Sequence, residues 1–578
     1  MAQAQSAGTI PNGCIAPRPW LAEALRVPLR LCIMYASTRG TAAQCLENKG
    51  CVSKSSQSPV FCPNDIMNRS SKPFRPAALR LPAAAPIRRL CAWAATALAA
   101  LASSSLLTPL AHAQDARTAN AQTSAAMASA LPEGFVAALN KAKIPLNSVS
   151  VWVQAVDGAP SPRVNYRADQ LVSPASTMKL VTTYAALDRL GPAYTWHTRI
   201  YTDGEITDGS LKGNLYIQGG GDPKLVMERL WALLRQVQQR GVKVIVGDIV
   251  LDRSAFVLPA HNAAEFDDEP LRPYNASPDA LLLNFKTVIM RFVPDRQLGI
   301  ARIELSPPMA HLQVPSSVAL NTKLKNCPSN WRNQLQLDAS QSGQWLLGGS
   351  YPAACGELNW SVAYPDPEAF ANKAVEGMWR DIGGSLTGSV HAGVTPAHLT
   401  PLITEPSLSL TEIVRDVNKY SNNVMADHVF LAQGSVGGRG QAMTFEAAQK
   451  AIEQWWVQRL GNPPGTLVID NGSGLSRAAR VTAQTLGNML VHAWSSPVMP
   501  ELMASMPAVG VDGTMRRSRA NASAHIKTGS LRDVNAIAGY VNGNSGKRYA
   551  VVAVVNDPLA AGARGAAFDS LIDWVAND

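Results

Sequence analysis

Hydrophobic and polar positions change period along the chain, and the changes mark its elements. Val149 to Val156 is a Val- and Trp-bearing run that ends at Asp157-Gly158 and predicts a strand, with a short return strand around 164–167. After Ser176 the spacing becomes helical: Leu180, Val181, Tyr184, Leu187 and Leu190 fall on one face, and Gly191-Pro192 predicts the stop. From about Arg199 to Leu399 the pattern is one of short β-like runs broken by Gly, Pro and Asp. Leu215-Tyr216-Ile217, Val244 to Leu251 and Ala301 to Leu305 are the clearest strands, and one helical segment is expected around 226–239. A stretch of roughly 200 residues is too long for a connecting loop and predicts one or two inserted domains.

Helical periodicity returns at Leu410–Val417 and Val424–Leu431, with polar Ser421-Asn422-Asn423 between them, and again at Phe445 to Leu460. Strand-like Leu467–Ile469 then leads into the turn-rich run Asp470 to Arg477. His525–Ser530, Ala536–Val541 and Tyr549–Asn556 read as consecutive strands, and a last helix puts Phe568, Leu571, Ile572 and Val575 on one face. The predicted class is α+β: an antiparallel sheet flanked by helices, built from 134–198 and 400–578 and interrupted by a β-rich insertion at 199–399.

Charge first suggests a polyanion partner, since the net value is +10. Its distribution argues otherwise. Residues 1–113 hold 12 Lys+Arg and 3 Asp+Glu, leaving 40 basic against 39 acidic residues from Gln114 onward, so nucleic acid is not an expected partner. Within the basic segment Arg88-Arg89 precede an apolar run, Leu90 to Leu110, that ends in Ala111-His112-Ala113, which reads as a signal peptide cut after Ala113. An uncleaved anchor is the competing reading, and peripheral membrane association stays open. Such a signal belongs near an N-terminus, so residues 1–66 are either an over-early start at a gene whose leader begins at Met67, or a genuine extended leader. Residues 114–133 read as a flexible mature N-terminus. The expected location is the periplasm.

Six of the eight cysteines fall within 1–113, leaving Cys327 and Cys355, which in an exported chain most simply form one disulfide; two free thiols are the alternative. No His/Cys/Asp cluster has zinc-ligand spacing, and Gly219-Gly220-Gly221 lacks the residues of a phosphate loop, so neither a metal nor a cofactor is expected.

The chemistry lies in three short motifs. Ser176 and Lys179 are three residues apart at a helix start, one turn apart on one face, which suits a nucleophile and its base. Ser421-x-Asn423 follows roughly 245 positions later, and Lys527-Thr528-Gly529, continued by Ser530, lies on a predicted strand. The ordered trio is the pattern of penicillin-binding proteins and class A β-lactamases. With Gly221-Asp222-Pro223, Gly247-Asp248-Ile249, Pro273-Tyr274-Asn275-Ala276 and Ser473-Gly474-Leu475-Ser476-Arg477, residues 134–578 resemble the class C low-molecular-mass penicillin-binding proteins, the D-alanyl-D-alanine carboxypeptidases/endopeptidases of peptidase family S13.

That resemblance implies a β-lactamase/transpeptidase-like domain split by a long insertion. It implies peptidoglycan stem peptides as substrates and β-lactam antibiotics as covalent inhibitors. Ser176 would form the acyl-enzyme, Lys179 act as base and Ser421 relay the proton. Asn423 would bind the acyl amide, Lys527 and Thr528 the substrate carboxylate, and the N–H groups of Ser176 and Ser530 the oxyanion, with Gly529 allowing close approach. For the stem side chain, Asp267 or Asp268 would meet an ammonium and Arg477 a carboxylate; surface pairing is the bland alternative for each. His428 and His525, near the motifs, are expected to be packing or surface residues. The competing functions are a β-lactamase or esterase of the same fold, or a catalytically inactive peptidoglycan-binding protein.

Overall fold

The computed structural model describes residues 130–159, 161–341, 343–435 and 442–578. The expected signal peptide, its cleavage site and the first residues of the mature chain lie outside them.

The central sheet owes its double burial to a nearly continuous apolar run. In Arg548–Asn556 (β5) Val551, Ala553 and Val555 face one core while Ala550, Val552 and Val554 face the other, the two-residue period of a strand covered on both sides. Its neighbours are Val149–Ala155 (β1) and Val534–Asn542 (β4), both antiparallel to it, with Val164–Tyr166 (β2) beyond β1 and Ala524–Leu531 (β3) forming the other edge. On one face the terminal helices Glu133–Lys141 (α1) and Ala566–Ala576 (α5) bury Phe135, Leu139, Phe568, Leu571, Ile572 and Val575. On the other lie Met178–Leu190 (α2), Leu410–Tyr420 (α3) and Asn423–Ala432 (α4), so the first and last parts of the described chain share one sheet.

The insertion has a separate core, from Ile200 to Ile403. It closes on itself where Ile403–Pro406 pairs with His197–Thr202, and it carries a six-stranded sheet containing Thr287–Asp295 and Ile300–Ser306. Cys327 and Cys355 are bonded there. Two details differ from the sequence expectation. The run Val244–Leu251 is two strands, Val244–Ile245 and Ile249–Asp252, in different sheets, because Gly247-Asp248 turns the chain where a Cβ on Gly247 would lie 2.5 Å from the Gly213 carbonyl. The insertion also holds a second helix, Pro367–Asp381. Asp366 caps it, accepting from the N–H groups of Glu368 and Ala369, and Pro367 occupies the first turn.

Candidate active site

Ser176 sits on a short 3₁₀ turn, Ala175–Thr177, and regular α-helix begins only at Met178. The turn is held from both sides. Asn556, at the end of β5, accepts from the Ser173 N–H at 2.8 Å and donates to its carbonyl at 3.1 Å, while the Thr177 hydroxyl donates to the Pro174 carbonyl at 2.7 Å. Ala175 is forced to φ +47°, a conformation that costs free energy and points to a turn fixed by its surroundings. Two glycines leave room for it. A Cβ on Gly474, itself at φ +75°, would lie 2.0 Å from the Ala175 carbonyl oxygen, and one on Gly529 would lie 2.7 Å from the Pro174 carbonyl and 3.1 Å from the Ser176 nitrogen. Strand β3 therefore runs directly beside the nucleophile.

Lys179 is fully buried one turn on, and its Nζ has three neighbours: Ser176 Oγ at 3.0 Å, Asn423 Oδ1 at 2.7 Å and the Ser473 carbonyl at 2.5 Å. Asn423 Oδ1 and the carbonyl can only accept. A neutral amine has two hydrogens for them and one lone pair left, which faces the Ser176 hydroxyl. Burial pulls the Lys179 ammonium down from the lysine range toward neutrality, against the opposing charge of Asp427. An ammonium formed there can donate to all three neighbours, so both states of the base are accommodated.

Ser421 ends α3 in a left-handed conformation, φ +58°, which breaks the helix and lets α4 begin afresh at Asn423 under the Asn422 cap. That break brings Ser421 to Lys527, whose Nζ donates to Ser421 Oγ at 2.9 Å and to the Thr528 carbonyl at 2.7 Å. Lys527 is fully buried, and desolvation followed by repulsion from Lys179 lowers its proton affinity strongly. Thr528 donates to Thr514 Oγ1 at 2.7 Å, and Ser530 is exposed with its hydroxyl donating to Asn535 at 3.0 Å.

The residues expected to read the stem side chain are placed less uniformly. A cavity of about 1160 Å³ opens beside Asn423, Asp427 and Ser473, and Arg477 and Tyr274 line it. Arg477 lies over the Phe266 ring at 4.6 Å and pairs with exposed Asp533 at 2.9 Å. Asp267 is engaged otherwise: it accepts from the Tyr274 hydroxyl and the Asn275 amide, both at 2.8 Å. Those bonds shape the loop whose Tyr274 carbonyl accepts from Asn423 Nδ2 at 3.0 Å, and neither Asp267 nor Asp268 is among the residues lining the cavity. His428 is buried; its Nδ1 donates to the Gly221 carbonyl at 2.8 Å and its Nε2 accepts from the Asp279 N–H at 3.2 Å, tying α4 to the insertion. Burial pushes it down to about 4, so this bridge is neutral. His525 lies half-buried on β3.

Three groups at the site went unread in the sequence. Ser473 belongs to the segment Ser473 to Arg477, but nothing there marks its carbonyl as an acceptor for Lys179, and Thr514 has no motif of its own. Asp427, buried one turn after Asn423, does leave a signal: it is an acid inside the apolar run Val424 to Ala432.

The D-Ala-D-Ala carboxypeptidase 3 (S13) family description matches residues 135–577. D-alanyl-D-alanine carboxypeptidase DacB of Haemophilus influenzae is 26% identical over 401 residues, which are 68% of this chain and 82% of that protein. The D-alanyl-D-alanine carboxypeptidase of Actinomadura sp. (strain R39) is 29% identical over 403 residues, 65% and 71% of the two chains. The crystal structure of penicillin binding protein 4 from Haemophilus influenzae shares the fold at a TM-score of 0.61 and 24% identity, covering 77% of this chain and 99% of that one.

Proposed function

The chain belongs to the D-Ala-D-Ala carboxypeptidase 3 (S13) family, and from that premise we propose how this serine peptidase acts: it releases terminal D-alanine from peptidoglycan stem peptides and opens D-alanyl cross-links through an acyl-enzyme on Ser176. The observation that carries the reading is the placement of Lys179 Nζ, 3.0 Å from Ser176 Oγ with its other directions taken by two acceptors.

Under this reading the neutral Lys179 amine takes the Ser176 proton as Oγ bonds to the carbonyl carbon between two D-alanines. The developing oxyanion is assigned to the N–H groups of Ser176 and Ser530, a reading supported by the close approach of Gly529 to the Ser176 nitrogen. Collapse breaks the C–N bond, and Ser421, held by Lys527, passes a proton to the leaving amine. Lys527 and Thr528 face the departing carboxylate, and Asn423 supports the acyl amide. Water then hydrolyses the ester. A β-lactam presents the same kind of carbonyl, and its tethered amine stays in place after ring opening, which delays hydrolysis. The basic leader followed by Ala111-His112-Ala113 supports export, and a periplasmic enzyme is the corresponding location.

The test is fluorescent penicillin labelling of the native protein and Ser176→Ala, with D-alanine release measured from a stem pentapeptide. Stable labelling that vanishes in Ser176→Ala, together with D-alanine release, is the expected result. Rapid penicillin turnover without D-alanine release would make the chain a β-lactamase, and neither label nor hydrolysis would make it a binding protein.

A further inference from the structure

The most unusual buried group in the catalytic half is one that no step above employs. Asp427 is 7% exposed, lies one helical turn after Asn423 on α4, and its Oδ1 has no hydrogen-bond partner among the described residues. An ionised carboxylate in such a place is costly unless an opposite charge compensates it. The compensating charge is available from Lys179, which α2 places against the same Asn423 and Ser473. Asp427 in turn contributes to the same cavity wall as those two residues.

Resting on the functional reading above, we propose that Asp427 is a positioning residue for acylation, the counter-charge to the ammonium that forms on Lys179, and that it sets how readily Lys179 takes the serine proton. When the Ser176 O–H bond breaks and Oγ–C forms, the proton goes to Lys179 Nζ and the carbonyl electron pair to oxygen. A positive charge then appears on a fully buried nitrogen close to Lys527. Asp427 is the anion that offsets it. On collapse the C–N bond breaks, its electron pair stays on the leaving nitrogen, and the proton that Lys179 took passes through Ser421 to that nitrogen, which leaves the lysine amine neutral again.

The groups facing this pair come from four elements. Lys179 meets Asp427 on α4 and Lys527 on β3; Asp427 meets Lys179 on α2, Asp470 in the loop before Asn471, and the Ser473 side chain. Burial pushes Asp427 up and Lys179 down, and each one's charge opposes the shift of the other. Without the carboxylate, Lys179 keeps its desolvation and loses the neighbouring negative charge that favours the ammonium. Its acid limb must then move to lower pH, and its strength as a base must fall.

The experiment measures the second-order rate of penicillin acylation against pH for the full-length native chain, Asp427→Asn and Asp427→Glu. For Asp427→Asn the acid limb is expected about one pH unit or more below that of the native chain, with a lower plateau, so that the two profiles cross. Asp427→Glu should restore the limb. An Asn profile that is merely scaled down, with its limb unmoved, would reduce Asp427 to a packing role and overturn the proposal. A second measurement needs neither variant: infrared titration of aspartate carboxyls, isotope-labelled, in the native chain and Lys179→Met. A carboxyl titrating near neutrality that moves upward when the lysine is removed supports the pair; no such movement overturns it. This readout stands even if penicillin fails to acylate the native chain, a result that would instead sink the functional reading.

Discussion

On the insertion's side of the cavity Asp279 is bracketed by Lys286 at 3.2 Å and Arg253 at 3.6 Å, and it also accepts from the Leu281 N–H. On the opposite wall Asp427 is as deeply buried, yet one of its oxygens has no hydrogen-bond partner and its nearest compensating charge is a lysine whose own bonds go elsewhere. The outcomes differ accordingly. Burial pushes Asp279 up, but the charges of Lys286 and Arg253 more than offset it and the group ends below the ordinary carboxylate range; Asp427 ends above it. A satisfied pair fixes geometry and resists changing protonation. An incompletely satisfied one leaves protons free to move, which is what a base must allow, and it is retained at a cost in stability. The insertion builds the wall, and the catalytic half keeps its charges poised.

Removing the base breaks the comparison most completely. Lys179→Ala is expected to slow penicillin acylation roughly a thousandfold, about 4 kcal/mol of transition-state stabilisation, with the folded state intact by circular dichroism. The native rate should itself fall with acidity. The base is the neutral amine, so lowering the pH through the depressed Lys179 titration converts it to an inert ammonium, and the limb reports that titration. A stopped-flow profile between pH 5 and 9 that is flat would contradict the assignment.

The satisfied wall should respond in stability instead of rate constant. Lys286 and Asp279 are both nearly enclosed, so Lys286→Met leaves a buried carboxylate facing only Arg253 and is expected to cost about 3 kcal/mol. Asp279→Asn leaves the lysine unpaired and should cost a similar amount. The double variant should lose much less than the sum of the two, because no uncompensated charge remains. Thermal unfolding of the three proteins measures this; additive losses would mean the pair is not a unit.

These contrasts explain what could be read from the chain alone. The α+β class was legible because alternation and helical spacing are local, and the strands at 534–542 and 548–556 carry nearly unbroken apolar runs. Ser176 and Lys179 were legible because a three-residue spacing at a helix start fixes their separation, and Cys327 and Cys355 because they are the two cysteines of residues 114–578. The Pro367–Asp381 helix was hidden because its first turn, Asp366-Pro367-Glu368, resembles a loop until the cap is seen. Asp427 and the Ser473 carbonyl were hidden for a different reason. Their meaning depends on α2, α4 and the 470–477 turn meeting around one amine, and no spacing along the chain encodes that meeting. Asp267 shows the converse: one of the two acids offered for a substrate ammonium is consumed in holding Tyr274 and Asn275.

A smaller effect tests the insertion's scaffolding away from the cavity. The Cys327–Cys355 bond closes a separation of 28 residues, so replacing both by Ser should cost about 2–3 kcal/mol of insertion stability by unfreezing the denatured chain. Penicillin acylation measured well below the melting temperature should stay near the native rate, since no catalytic group is held by that loop. Loss of acylation in parallel with melting would mean the two cores do not behave independently.

The smallest expected effect concerns Arg477, which stands where the two walls meet. Its pair with Asp533 is about half exposed on both sides, so Arg477→Ala should change the melting temperature little, by less than about 1 kcal/mol in stability. Its position over the Phe266 ring keeps the guanidinium at the cavity rim, available to a carboxylate that replaces Asp533. A charge-assisted contact of that kind, partly exposed, is worth about 1 kcal/mol, so kcat/KM for a stem peptide bearing a free side-chain carboxylate should fall roughly fivefold. The same peptide with that carboxylate amidated should be cleaved at nearly the native rate by both proteins. Equal losses on the two peptides would mean that Arg477 shapes the rim through Asp533 and Phe266 and does not read the substrate, which would place it with the satisfied charges of the insertion's wall.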